Sequence, residues 1–388
     1  MIFLHSGIYY SIVYYFDDYM QKKPLKVLVF LPEIGLGGAE WQTLYMLNGL
    51  NGELIYPVLL TLNRGLNERR ELPEYHYVIN KSPGFDPLFA LKLSSLLHFI
   101  EPDIIHLISS TAIIWGTLAS LSYLNSKFIV SLWGEDWGDS ILRRALLRIC
   151  QRLADVVTVN SYGLRDSVSK KYFIPEGRIE VLVNGVDVER FAPRDAHKLR
   201  GEVGIGSDEV VIGWVGNIRP EKDFWTLISA SEIVVSRQRN VKFLIVGGGV
   251  DYDRAVSEVE QRGLKDNFIF TGRVDDTAPY YNAMDIFVNS SISEGMCNVI
   301  LEASASGLPC VVTDAPGNSE LVMDGRSGFV VKRGNCVELA DKILTLINND
   351  RLKEEMGKRG REYMKRAYDM DAMVKSYQDF YLRVGGRL

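Results

Sequence analysis

Short runs of β-branched and other apolar residues alternate along the chain with segments whose apolar positions recur at helical spacing. That is the pattern of parallel strands joined by crossover helices. The first half carries strand candidates at 26–31, 56–61, 103–108, 127–132, 155–159 and 179–183. The second half carries six more, at 210–215, 242–246, 268–271, 285–289, 310–313 and 328–331. The fold class expected is α/β, with two Rossmann-like doubly wound domains facing a central cleft. Segment 184–208 holds an Asn-Gly, an Ala-Pro and several glycines, so the boundary falls there. The divisions expected are an N-terminal extension over 1–24, a first domain over 25–190, a linker over 191–208 and a second domain over 209–367. A C-terminal helix over 368–388 is expected to pack back on the first domain. In such folds ligands bind outside the carboxyl ends of the strands.

Composition narrows the chemistry. At 388 residues the chain exceeds one ordinary core, and 47% hydrophobic with 24% charged residues excludes disorder as its main state. Its 44 basic and 49 acidic side chains leave a net charge of −5, which argues against a chain-wide grip on nucleic acid. Four dispersed cysteines, with no CxxC and no His pair at ligand spacing, suggest neither a disulfide frame nor a zinc site and fit a cytoplasmic setting. The apolar start, 1–15, is too short and too polar to span a bilayer, and it lacks the basic n-region of a signal peptide. It reads either as an interfacial aromatic segment or, the favoured reading, as an extension outside the fold; Met20 makes a natural start.

Three stretches carry candidate chemistry. Gly35, Gly37 and Gly38 follow the first strand, but Glu40 stands where a dinucleotide fingerprint has its third glycine. The turn is either a tight strand-to-helix connection or a place where backbone N–H groups of Gly37 and Gly38 meet a phosphate or a sugar hydroxyl. Arg219 and Lys222 follow the first strand of the second half, where two cations suit a diphosphate or stand as solvated loop charge. The strongest signal is 293–303, with Glu294 in a turn made by Gly295 and Glu302 about one turn inside the helix that follows. A helix-dipole role explains Glu294 cheaply and leaves Glu302 without a reason; a ribose diol supplies one.

The motifs Gly37-Gly38-Ala39-Glu40, Asn184-Gly185-Val186-Asp187, Gly216…Arg219…Lys222, Val246-Gly247-Gly248-Gly249, Gly272-Arg273-Val274 and Glu294-x7-Glu302 occur in one order over roughly 26–366. Leu308 to Thr313 and Asn318-Ser319-Glu320 extend the set. As a set they resemble family 4 of the retaining glycosyltransferases. The resemblance implies a B-type glycosyltransferase fold, a nucleotide-sugar donor held by the second domain and an acceptor held by the first. By position, Arg219 and Lys222 hold the donor diphosphate and Glu302 the ribose, while Glu294 stands beside the transferred sugar. Gly295, Met296, Cys297, Asn298 and Val299 line sugar and phosphate, and Arg273 and Val274 fall where the family contacts the base. The family often has a His at the end of the strand 127–132; here Trp133-Gly134-Glu135-Asp136 follows, so that role does not carry over. His106, at the end of the strand 103–108, is the one histidine that is a candidate for the cleft, although a histidine closing a strand is more often a satisfied core residue; Trp133 is the other candidate there.

Asp251 and Asp253 look like a metal-binding pair, but they begin a helix and are better explained as its cap and dipole partner. No metal and no cofactor are expected. Segment 140–153 is amphipathic: Arg144, Arg148 and Arg152 share an arc of about 80°, and Leu142, Leu146, Ile149, Cys150 and Leu153 share another. The apolar arc is expected in the core, and the basic arc at the solvent or on anionic lipid. The expected activity is a metal-independent, retaining transfer from a UDP- or GDP-sugar to a saccharide or lipid-linked acceptor in surface polysaccharide or lipopolysaccharide assembly. It is placed in the cytoplasm or on the inner face of its membrane. A sugar-nucleotide epimerase on the same fold and a non-catalytic nucleotide-sugar-binding or scaffold protein are the rivals.

Overall fold

The computed structural model describes residues 23–35, 37–62, 72–82, 86–134 and 140–388. The two readings of the first nineteen residues, and the residues Glu135 and Asp136, lie outside them.

Seven strands build the first sheet: β1 (Leu25–Phe30), β2 (Ile55–Thr61), β3 (Tyr75–Val78), β4 (Ile104–Ile108), β5 (Lys127–Leu132), β6 (Val156–Val159) and β7 (Ile179–Val181). They pair in the order β3-β2-β1-β4-β5-β6-β7, all parallel. Helices α1 (Gly38–Gly49), α2 (Pro87–Ile100), α3 (Ser110–Ser120), α4 (Ile141–Leu153) and α5 (Tyr162–Tyr172) cover it, and α6 (His197–Glu202) follows. The second sheet holds β8 (Val210–Val215), β9 (Val241–Val246), β10 (Phe268–Gly272), β11 (Ile286–Asn289), β12 (Cys310–Thr313) and β13 (Gly328–Val331). Its order is β10-β9-β8-β11-β12-β13, again all parallel. Its helices are α7 (Phe224–Arg237), α8 (Tyr252–Gln261), α9 (Ala278–Asn282), α10 (Asn298–Ala305), α11 (Asn318–Leu321), α12 (Cys336–Ile347) and α13 (Asp350–Ala367), with α14 (Met370–Val384) last. Strands covered on both faces need apolar side chains on both, which is why they read as runs rather than alternations.

Strand order reverses at β1/β4 in one sheet and at β8/β11 in the other. The turns after β1, β8 and β11 therefore open onto the two switch points, where a crevice forms for topological reasons. β3 is absent from the sequence reading: Tyr75–Val78 is a half-buried edge strand of four residues without a clear apolar period. It is placed by pairing with β2 from Val58 to Thr61.

Three expectations are corrected. The segment taken as a linker, 191–208, is folded: Phe191 and Ile205 belong to the second domain's apolar core, with α6 between them, and so do Val186 and Val188, which the sequence reading places in the first domain. The chain instead crosses between domains near Gly185 and returns beside it, where Val186 N–H donates to Tyr368 O at 2.8 Å. From that return, α14 lies on the first domain, with Tyr377, Phe380 and Tyr381 packed against β1 and α1. His106 is in the core and not in the cleft. It stands mid-strand on the α14 side of β4, its Nδ1 2.7 Å from the Tyr381 hydroxyl and its Nε2 2.5 Å from Ser131 Oγ. Burial pulls its pKa down to about 3, so the ring is neutral. Finally, the expected apolar arc of α4 faces outward at Leu142, Leu146, Ile149 and Leu153; Leu147, Cys150 and Gln151 form the buried side.

Candidate active site

A cavity of about 710 Å³ lies between the domains at the carboxyl ends of both sheets. The first domain contributes Gly37, Gly38, Trp41, Trp133, Asn160 and Asn184. The second contributes Arg219, Lys222, Arg273, Val274, Glu294 and Glu302, and the turn from Gly295 through Met296, Cys297 and Asn298 to Val299. Of the candidates selected from the sequence, only His106 is away from this wall.

Two helix N-termini meet there. α1 follows the cap residue Gly37 and α10 the cap residue Cys297, and neither cap residue gives a side-chain bond; the Glu40 carboxylate lies against Gly37 at the start of α1, and the start of α10 faces the cavity. The approach depends on glycine: a Cβ on Gly38 would come within 2.3 Å of Asn298 Nδ2. Asn298 Oδ1 accepts from Asn184 Nδ2 at 2.7 Å and from Gln42 Nε2 at 3.4 Å. Gln42 also brackets the peptide of Gly185, donating to its oxygen at 2.7 Å and accepting from its nitrogen at 3.1 Å. Asn184 was visible in a motif without a role, whereas Gln42, in the middle of a helix, gave no sequence signal.

Lys222 Nζ donates to Glu294 Oε1 at 2.5 Å. The same oxygen accepts from Ser291 Oγ at 2.7 Å, so the carboxylate is fixed from two sides. Burial alone would pull the Lys222 pKa down, but Glu294 outweighs it and the net shift is upward, which keeps the ammonium charged. Arg219 is exposed at the mouth of the same cavity.

Glu302 accepts from the Tyr281 hydroxyl at 2.7 Å. Burial raises its pKa from 4.5 to about 7, against the opposing effects of Tyr281 and Arg190. Arg190, which sequence reading missed, pairs with Asp276 at 3.0 Å and lies 5.3 Å from the ring centre of Trp41.

The domains touch closely behind the acidic turn. A Cβ on Gly295 would come within 2.3 Å of Trp133 O and 2.7 Å of Asn160 Oδ1. Glu320 reaches from the second domain to cap α5 of the first, accepting from Tyr162 N at 3.0 Å and Gly163 N at 2.5 Å. That gives a physical role to a residue the sequence reading only matched. Among the described residues, Trp133 Nε1 and Asn160 Oδ1 are buried polar atoms without a hydrogen-bond partner, and both residues line the cavity. Such atoms are costly unless something bonds them.

Asp251 and Asp253 stand at the start of α8, but the expected side-chain cap is not formed: Asp251 holds the cap position without the bond, leaving only a charge effect on the helix end. Among the described residues no group of three or more His, Cys, Asp or Glu side chains is placed to hold a metal ion.

Comparison with known proteins assigns this architecture. The model of Glycosyltransferase Family 4 matches residues 36–190, and that of Glycosyl transferases group 1 matches 209–349. A GDP-mannose-dependent alpha-(1-6)-phosphatidylinositol monomannoside mannosyltransferase of Mycobacterium tuberculosis is 30% identical over 268 residues, 66% of this chain and 69% of that protein. The chain belongs to glycosyltransferase family 4. The capsular polysaccharide glycosyltransferase CapM of Staphylococcus aureus is 27% identical over 306 residues, 75% of this chain and 79% of that one. HepE of Anabaena, solved with UDP and glucose, superposes with a TM-score of 0.82 at 22% identity, over 92% of this chain and 99% of that one. Sucrose-phosphate synthase of Thermosynechococcus elongatus gives 0.83 at 18%, over 94% and 100%. These likenesses show the B-type glycosyltransferase fold, and the protein is a glycosyltransferase.

Proposed function

We propose that this family 4 enzyme moves a sugar from a nucleoside diphosphate, UDP or GDP, to a saccharide or lipid-linked acceptor, with retention and without a metal, in surface polysaccharide assembly at the cytoplasmic side of the membrane. The observation that carries the reading is the convergence of Lys222, Arg219 and the uncapped start of α10 on one wall of the cleft. Those groups supply the positive potential that a leaving diphosphate requires. HepE complexes with UDP and with UDP-glucose, and relatives named for capsular polysaccharide and lipopolysaccharide core synthesis, support the same reading.

In this reading the anomeric carbon loses its bond to the diphosphate oxygen and gains one to the acceptor oxygen on the same face. The acceptor proton passes to the leaving diphosphate, so no acid–base carboxylate pair is needed. Glu294, held by Lys222 and Ser291, orients the sugar. Trp133 Nε1 and Asn160 Oδ1 find their missing partners in its hydroxyls. Nucleoside diphosphate release from a panel of UDP- and GDP-sugars in EDTA, with proton NMR of the anomeric signal of the product, tests the proposal. Turnover in EDTA with the donor's configuration kept is expected; turnover that needs added Mg²⁺ or Mn²⁺, or an inverted product, overturns it.

Glu302 adds a pH signature. A carboxylate accepts from both ribose hydroxyls, and a protonated carboxyl does not. Donor affinity is expected to rise with pH through about 7, the pKa to which burial brings Glu302. Stability runs the other way. The folded value lies above the unfolded one, so this group's contribution is complete below about 4.5 and fades as pH rises through about 7, by about 3 kcal/mol. Glu302→Gln should flatten both profiles, read by calorimetry and by urea midpoints across that pH range.

A further inference from the structure

The outward turn of α4 exposes more than one helix. Ile141, Leu142, Leu146, Ile149 and Leu153 are 80%, 70%, 39%, 55% and 54% exposed. On α2, Leu88, Leu91 and Phe99 stand out in the same way, and at the end of α3 so do Leu118, Leu121 and Leu124. The three helices lie side by side on one face of the first sheet, packed through the core they share with β4 and β5. Eleven of the eighteen large apolar side chains exposed among the described residues are on this face. Single exposed leucines need no explanation, but a contiguous group of this size does.

The charge on the same face is one-sided. The segments α2, α3 and α4 contain no Asp or Glu, and they carry Lys92, Arg143, Arg144, Arg148 and Arg152, in a chain of net charge −5. Lys92, Arg144 and Arg152 are exposed beside the apolar side chains. Arg148 lies 4.3 Å from the ring centre of Phe173, itself exposed.

We propose that the outer face of α2, α3 and α4 is a docking surface for an anionic bilayer, with the leucine and isoleucine side chains in the acyl boundary and the cations at the headgroups. Charge decides between occupants. A second copy paired through the same face would set two net-basic helix faces against each other, with Asp86 and Glu101 only at the two ends of α2, and anionic headgroups reverse that repulsion into attraction. Among the described residues no helix is long and apolar enough to cross a membrane, so the contact is lateral. The start of α4 follows the loop after β5, whose Trp133 lines the active-site cavity.

The test is co-sedimentation of the full chain with vesicles of equal parts phosphatidylglycerol and phosphatidylcholine, against phosphatidylcholine alone, at low and high ionic strength. Wild type should pellet with the anionic vesicles, less at high salt, and stay in solution with the neutral ones. Arg144→Gln with Arg152→Gln should weaken partitioning about thirty-fold, and Ile149→Glu about ten-fold or more, with thermal midpoints near wild type because all three side chains are exposed or half-exposed. Wild type that ignores anionic vesicles at low salt overturns the proposal. So does pelleting that neither variant reduces, or a solution dimer that Ile149→Glu converts to monomer.

Discussion

Lys222→Ala is expected to lower nucleoside diphosphate affinity about ten- to a hundred-fold and to remove transfer. A charge-assisted contact to a phosphate is worth about 1.5–3 kcal/mol, which is that range in affinity. The loss has a second source. Lys222 Nζ is 2.5 Å from Glu294 Oε1, so removing the ammonium leaves a carboxylate uncompensated in the wall where the diphosphate sits. Lys222→Ala with Glu294→Gln should recover part of the affinity and none of the transfer, because the repulsion is gone and the stabilising charge is still missing. Arg219, exposed and screened, should show the same direction with a smaller effect. Calorimetric titration showing wild-type affinity in Lys222→Ala would remove the diphosphate from this wall.

Gly295→Ala is expected to cut kcat about a hundred-fold and to weaken diphosphate binding along with it. The added Cβ would stand 2.3 Å from Trp133 O, a backbone atom with little room to yield. Gly317 presses from the other side, since its own Cβ would fall 1.7 Å from Gly295 O. The turn must shift, and with it Glu294, Trp133 and Asn160; a displacement of about 1 Å at reacting groups is enough for a loss of that order. Lys222 moves with the turn, since its Nζ is 2.5 Å from Glu294 Oε1, and α10, whose start faces the same cavity, begins three residues after Gly295. Steady-state kinetics alongside titration reads both effects, and an unchanged kcat would mean that this close approach is not needed for transfer.

Much of this site was legible because local rules place it. Gly37, Gly38, Arg219, Lys222, Glu294 and Glu302 all sit in or just after turns that follow strands, and in a doubly wound fold those turns converge whatever lies between them. What the sequence could not show depends on distance from a strand's end or on partners far along the chain. His106 fails as a cleft residue because it stands two residues before the end of β4, where the neighbouring atoms are Tyr381 and Ser131. Gln42, Asn184 and Asn298 form one junction from three distant segments, and Glu320 caps a helix 158 residues away. For α4 the apolar period was clear, but periodicity shows which side is apolar and not whether anything covers it. β3 is held by its neighbour more than by its own four residues.

The most direct measurement of the central claim is calorimetric titration of UDP, GDP and ADP, each in EDTA, into the wild-type protein, followed by the corresponding nucleotide sugars. The account predicts that at least one diphosphate binds at a single site, that its sugar is turned over to release it, and that Lys222→Ala loses both signals together. A folded wild-type protein that binds none of these diphosphates in EDTA, or binds one equally well without Lys222, would contradict it.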